Sequence, residues 1–332
     1  EIASCLVGSE MCIRDRLRTI NMPTLRPLSL IYNEKSGFHA SNKEGVYEQI
    51  MTIFTQHDFE IQVFELSVED NFDDFMQQVL VRHHGDDHGV VVAAGGDGTL
   101  NAVASKLKYT DIPMGILPLG TFNYVARVLN IPQDLLQAAE VIATGTPKNV
   151  HLGTINDRIY LNNASLGLYP LFIQKREQYN QRLGRHTLNA YTSGLDVLIR
   201  DHKELKLSLT VDGQVYPVKT SLVFFGNNKL QLQEMNLNIA ECAEEGHVAG
   251  IVVAKSDKLS LFRMLFQLIK GDLEHAKDVY SFAADQVVVD SKSKTLTVAV
   301  DGEIEELKTP LTLAVAKNAL SIMVPVDATS SV

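Results

Sequence analysis

Between Leu28 and Leu129, short apolar runs alternate with stretches whose apolar residues recur at helical spacing, and few folds accommodate that alternation. Leu28–Tyr32 is a buried-strand run that ends in the turn cluster Asn33-Glu34-Lys35-Ser36-Gly37. Val46, Ile50, Ile53 and Phe54 then set a helical period over Val46–His57. Phe59–Leu66 alternates as a strand, and Asn71–His83 reads as a second helix. Gly89–Ala94 is a continuous Val/Ala run, followed by Gly95-Gly96-Asp97-Gly98-Thr99 and a helix through about Lys106. Met114–Leu117 repeats the scheme, with Pro118-Leu119-Gly120-Thr121-Phe122-Asn123 and a helix to about Leu129. Three strand–helix repeats predict a parallel sheet covered on both faces.

After Thr146-Pro147 the pattern changes to short alternating strands with the punctuation of an antiparallel β domain. They are expected at Val150–Ile155, Arg158–Asn163, Leu205–Val211, Gln214–Val218, Ser221–Phe225, His247–Ala254, Gln286–Asp290 and Thr295–Val300. Helical inserts are expected around Tyr179–Leu198 and Leu259–Lys270. A last strand-like run, Leu311–Met323, has the position to return to the first domain. The expected division is therefore an α/β domain over 25–147, a β-rich domain over 148–308 and a returning strand within 309–326. Residues 1–21 lack either periodicity and read as a non-native or disordered segment, with Met22 as a candidate start and no signal-peptide pattern.

Composition narrows the function. Thirty Lys and Arg against forty Asp and Glu give a net charge of −10, the opposite of the basic surface that nucleic acids select. No apolar run approaches the ~20 residues that span a bilayer. Of three cysteines, Cys5 and Cys12 lie in the excluded segment, leaving Cys242 without a partner for a disulfide or a paired-cysteine metal site. A reducing cytoplasm is the expected location. His83, His84, Asp86, Asp87 and His88 crowd one loop, which predicts a solvated turn rather than convergent metal ligands.

The sharpest chemical signal is Gly95-Gly96-Asp97-Gly98-Thr99, placed between a buried strand and a helix. Glycines there let backbone N–H groups approach phosphate, and the helix N-terminus adds positive partial charge. Asp97 needs a divalent cation or a hydroxyl between itself and any phosphate. The loop is no Walker A, since the chain holds no Gly-Lys pair, and Asn101 stands where a dinucleotide fingerprint has its third glycine. An ordinary tight turn remains the alternative for this loop alone. The Gly120 and Ser36–Gly37 loops, however, share the same sheet edge, where ligands bind in open α/β folds.

Gly95–Thr99 with Leu117-Pro118-Leu119-Gly120-Thr121-Phe122-Asn123-Tyr124-Val125-Ala126-Arg127 resembles the diacylglycerol kinase catalytic domain of the soluble bacterial lipid kinases. That family shares a superfamily with sphingosine kinases and, more distantly, NAD kinases. Leu161–Pro170, Gly226-Asn227-Asn228 and Val300-Asp301-Gly302-Glu303 extend the resemblance, which covers about Leu28 to Val324. It implies a nucleotide-binding N-terminal domain, a β-rich C-terminal domain, and a cleft between them for ATP, Mg2+ and lipid. By resemblance, Ser36 and Gly37 lie near the phosphates, and Gly96, Asp97, Gly98, Thr99, Asn101 and Thr121 line the nucleotide site. Ser67 stands for a nucleotide-contacting Thr, Glu303 is the base for the lipid hydroxyl with Asp301 beside it, and Glu245 takes a magnesium-site position where relatives have Asp.

Read locally, Val300–Glu303 is also a hairpin turn, and Val211-Asp212-Gly213-Gln214 is its twin with Gln in place of Glu. Glu34, Ala102 and Tyr124 depart from the family pattern, the last two where many relatives carry Glu and Asp. The function expected is ATP-dependent phosphorylation of diacylglycerol or a related lipid. The alternatives are a lipid-binding protein of the same fold without turnover and, disfavoured by the Gly120 loop, an NAD kinase. Without a spanning helix the protein must meet its lipid transiently at a membrane surface. The amphipathic Leu259–Lys270 stretch either docks there or covers the β domain.

Overall fold

The computed structural model describes residues 25–33, 44–66, 71–85, 89–171, 204–235, 239–254 and 278–326. The first part runs β1 (Arg26–Asn33), α1 (Glu44–Gln56), β2 (Phe59–Leu66), α2 (Phe72–Arg82), β3 (Val90–Gly95), α3 (Asp97–Leu107), β4 (Met114–Pro118), α4 (Tyr124–Val128) and α5 (Leu135–Thr144). Strands β2, β1, β3 and β4 lie side by side and parallel. Every residue of β3 and β4 is buried, because helices cover both faces. On one side α2 and α3 are joined by the Lys106–Asp73 ion pair, while α1 packs against α5. Local chemistry starts the helices where side chains can cap them: Asn71 accepts from Asp73 N–H, and Asp134 from Gln137 N–H.

The second part comprises β5 (Thr146–Ile155), β6 (Arg158–Tyr160), β7 (Asn163–Gly167), β8 (Leu205–Val211), β9 (Gln214–Gly226), α6 (Lys229–Glu234), α7 (Ala240–Glu244), β10 (Val248–Ala254), β11 (Val279–Ala284), β12 (Gln286–Ser291), β13 (Thr295–Val300), β14 (Glu303–Lys308) and β15 (Leu311–Val324). Its pairings are antiparallel. The β15 strand joins the two parts into one sheet of order β14-β13-β7-β9-β8-β12-β15-β4-β3-β1-β2. It pairs antiparallel with β12 and β5, then parallel with β4 at Ile322–Met114.

Two hydrophobic cores follow this division, and β15 enters both. Leu311 and Leu313 belong to the β-rich core, whereas Ala319, Leu320 and Ile322 belong to the core of the parallel sheet. The change occurs at a register shift against β5 between Ala316 and Leu320, where Asn318 adopts a φ of 51°. Such an irregularity bends a strand, letting one element serve two cores.

Several local expectations change. Gln214–Val218 and Ser221–Phe225 are one strand, β9, with an exposed first half paired to β8 and a buried second half between β7 and β10. Its Pro217 and polar Lys219-Thr220 mimic a break in the sequence, but the strand merely changes partners. Helices α5, α6 and α7 and strands β11 and β14 are additions, and the expected strand Arg158–Asn163 divides into β6 and β7; the buried face of α5 is largely Ala138, Ala139 and Ala143, a weak periodic signal. His83 is not solvated: it caps α2, is buried, and its Nε2 lies 3.0 Å from Ser29 Oγ. The stretches Tyr179–Leu198 and Leu259–Lys270, like 1–21, fall outside the described residues.

Candidate active site

Two βα loops meet at the carboxyl edge of the parallel strands. Leu119 N–H donates to Gly95 O across 3.1 Å. A Cβ on Gly120 would stand 2.8 Å from the Gly96 Cα, so only glycine lets these backbones approach. Thr99 folds back over Gly95, where an added Cβ would stand 2.5 Å from the threonine side chain. Thr121 is exposed in the second loop. Ser36, Gly37 and Ser67 lie outside the described residues.

Asp97 opens α3 directly beneath this crossing. Burial pushes the pKa of its carboxyl up, outweighing the lowering influence of the Asn162 side chain and the Val125 backbone. The Oδ1 atom is buried without a protein partner. A buried, partnerless carboxylate oxygen beside a helix N-terminus suits a hard divalent cation. Magnesium commonly uses one or two protein carboxylates and takes its other ligands from phosphates and water. No group of three or more His, Cys, Asp or Glu gathers among the described residues. Glu245 is exposed at the C-cap of α7, with no such group around it.

Glu303 comes from the other core. It opens β14 after the turn Asp301-Gly302, whose φ values of 47° and 91° are those of a type I′ hairpin. Its Oε1 would stand 3.0 Å from a Cβ on Gly98, so the carboxylate hangs over the first turn of α3, one residue from Asp97. A cleft of about 370 Å³ opens here, lined by Gly98, Asn101, Ala102, Asp301 and Glu303 among others. Glu303 is exposed, so it can reach a substrate.

Asp301 is placed differently from its neighbour. Its Oδ1 accepts from the N–H groups of Asn162 (2.8 Å) and Asn163 (3.0 Å), its Oδ2 from Leu161 N–H (2.7 Å) and Asn101 Nδ2 (2.6 Å). Burial pushes it up to about 6 against those four donors. Such a carboxylate has no lone pair directed at a substrate; it ties the hairpin to the turn between β6 and β7. Asn101 is thereby drawn toward the β-rich part, donating also to Ile159 O at 3.1 Å.

The twin turn shows the same device without the site. Asp212 Oδ1 accepts from Asp285 and Gln286 N–H, both at 3.0 Å, and φ is again positive at Asp212 and Gly213. Gln214, however, accepts from the Tyr216 hydroxyl, its one side-chain hydrogen-bond partner among the described residues. Hairpin chemistry is shared; the neighbour across the cleft is not.

An amide cluster continues from Asp97, and the site-residue reading of the sequence missed it. Asn162 is 3% exposed, and its Oδ1 accepts from Asn228 Nδ2 at 3.1 Å. Its carbonyl accepts from Asn227 and Asn228 N–H. The doubled asparagines at 162–163 and 227–228 were the available signal, since buried amides persist only where each finds partners. On the α4 side, Tyr124 donates to Glu234 Oε2 at 3.1 Å, and Arg127 pairs with Oε1 at 2.9 Å. Burial and the Glu234 charge push Tyr124 up to about 12.

Residues 27–155 match the family model described as the diacylglycerol kinase catalytic domain, and residues 175–324 match the YegS C-terminal NAD kinase β-sandwich-like domain. The diacylglycerol kinases of Staphylococcus aureus strains JH9 and Newman are each 29% identical over 222 residues, 66% of this chain and 69% of theirs. A crystal structure of a diacylglycerol kinase from Bacillus anthracis strain Sterne shares the fold, with a TM-score of 0.68 at 20% identity over 90% of this chain and 97% of that one.

Proposed function

Because the chain belongs to the diacylglycerol kinase catalytic domain family, we propose that it transfers the γ-phosphoryl group of ATP to a hydroxyl of diacylglycerol or a related lipid. The observation that carries this reading is the meeting of Glu303 with the first turn of α3, next to Asp97 and the crossed glycine loops. Phosphoryl transfer asks a protein chiefly for positioning and charge stabilisation. The N–H groups of the Gly95–Thr99 and Gly120 loops are suited to hold phosphate oxygens. Asp97 would hold the magnesium ion, which when bound would offset the negative charge of the phosphates. Glu303 takes the proton from the lipid hydroxyl as its oxygen bonds to the γ-phosphorus, and the bond to ADP breaks.

A reading without turnover draws on Tyr124, which is committed to Glu234 where many relatives would place a carboxylate near the metal. The retained Asp97 and Glu303 outweigh it. Incubating the protein with radiolabelled ATP and magnesium against a lipid panel and NAD tests all readings. Label is expected in an organic-extractable lipid; label in NAD or in nothing rejects the proposal. Among the described residues no helix is long and apolar enough to cross a membrane, so we propose peripheral docking for access to the lipid.

A further inference from the structure

Helix α7 and the residue that caps it bring three carboxylates, Glu241, Glu244 and Glu245, onto one short stretch of chain. Glu244 and Glu245 stand at the C-terminal end, where free carbonyls already carry negative partial charge. Lys229 opens α6 and is placed just as unfavourably, a cation at a helix N-terminus. One contact accounts for both placements. Lys229 Nζ lies 2.6 Å from Glu241 Oε2 and 2.8 Å from Glu244 Oε2, so a single ammonium bridges two carboxylates and ties α6 to α7. The far end of α6 is held in the same manner, since Glu234 accepts from Tyr124 and pairs with Arg127 on α4. Charge therefore straps α7 to α6, and α6 to the helix that follows the Gly120 loop.

The family resemblance places a magnesium ion in this segment, at Glu245. The side chains present do not assemble such a centre: Glu245 is exposed, and among the described residues no third carboxylate, imidazole or thiol joins Glu241 and Glu244 in a group able to hold a metal. We propose that Lys229 is the resident cation of the α6–α7 junction, standing where a divalent ion would otherwise bridge Glu241 and Glu244, so that the junction needs no metal. The ammonium offsets one of the two negative charges, and the carboxylate side chains, 63% and 58% exposed, leave the remainder to water. Being part of the chain, this cation is lost neither on dilution nor to a chelator. The assignment does not rest on the kinase reading. Only its corollary does: magnesium then enters with the nucleotide at Asp97, and not at α7.

Urea unfolding without nucleotide, in EDTA, magnesium or calcium at matched ionic strength, tests the assignment. Magnesium is expected to leave the midpoints of wild type and Glu245→Gln equally placed; a rise in wild type that Glu245→Gln abolishes reveals a resident metal and overturns the proposal. In EDTA, Lys229→Met is expected to lower the midpoint by roughly 0.3 M, the scale of two partly exposed ion pairs, while Lys229→Arg keeps the charge and stays near wild type. Millimolar calcium, whose oxygen ligands stand at about 2.3–2.6 Å, is expected to restore Lys229→Met but not the same variant carrying Glu241→Gln and Glu244→Gln. A Lys229→Met midpoint equal to wild type, or one that calcium does not restore, overturns the proposal, because Lys229 then replaces no cation. Calorimetric titration with ADP across a magnesium series is expected to give wild type and Lys229→Met the same magnesium requirement. A raised requirement in Lys229→Met makes the two cation positions one system and overturns the assignment. A wild type that binds no ADP rejects the kinase reading and leaves the urea midpoints to decide Lys229.

Discussion

At the residue scale the site is decided by which carboxylate oxygens are already spoken for. Asp301 has four donors around it and Asp97 keeps one oxygen without a partner, although both lie at the boundary of the two cores. Asp97→Asn preserves shape and removes the charge, so turnover should fall by at least ~100-fold while the urea midpoint stays near wild type, as loss of preorganised electrostatics typically does. Near-normal activity would remove Asp97 from the chemistry. Asp301 makes a different prediction. Its folded value, about 6, lies above the ordinary 3.8 because burial outweighs its hydrogen bonds. A carboxyl raised on folding takes up a proton, so its contribution is fully present below about 3.8 and is lost as pH rises through about 6. Urea unfolding of wild type and Asp301→Asn from pH 4 to 7 should show the stability of wild type falling across that window relative to the variant. A parallel pair of curves would mean that the four donors hold Asp301 ionised throughout.

At the scale of elements, the informative pair is the two Asp-Gly hairpins. Both turns were legible from sequence, because Asp-Gly with two positive φ values matches the twist of paired strands. Nothing local distinguishes the catalytic candidate from its twin except Glu303 against Gln214. Glu303→Gln is therefore expected to reduce turnover by ~100-fold or more with ADP affinity unchanged, while Gln214→Ala leaves turnover within about twofold. Equal small effects at both would make Glu303 a turn residue. The amide cluster was less legible, since asparagines in a strand-rich region serve turns as readily as buried networks. Only the packing of the β6–β7 turn against α3 and the end of β9 gave Asn162 its partners.

At the scale of the whole molecule, β15 binds the two cores into one structure. Ile322 is fully buried in the core of the parallel sheet and pairs with Met114 of β4, on the strand whose other half serves the β-rich core. Ile322→Ala should destabilise by about 2–5 kcal/mol. Because the strand is shared, urea unfolding followed by tyrosine fluorescence and by far-UV circular dichroism should shift together. Separate transitions in the variant would show that the cores unfold independently and that β15 couples them weakly.

The alternation of apolar runs and helical periods was enough to predict a covered parallel sheet, and the short polar-apolar strands after Pro147 an antiparallel one, because side-chain periodicity is imposed by backbone geometry. The glycine loops were legible for the same kind of reason: close backbone approach excludes a Cβ, and the chain records that exclusion in its residues. What only the tertiary structure decided is which loop faces which. Gly98 lies against Glu303 in consequence of strand order across a sheet assembled from segments some 200 residues apart. No local period encodes such a pairing; it follows from the burial of two cores on one shared strand.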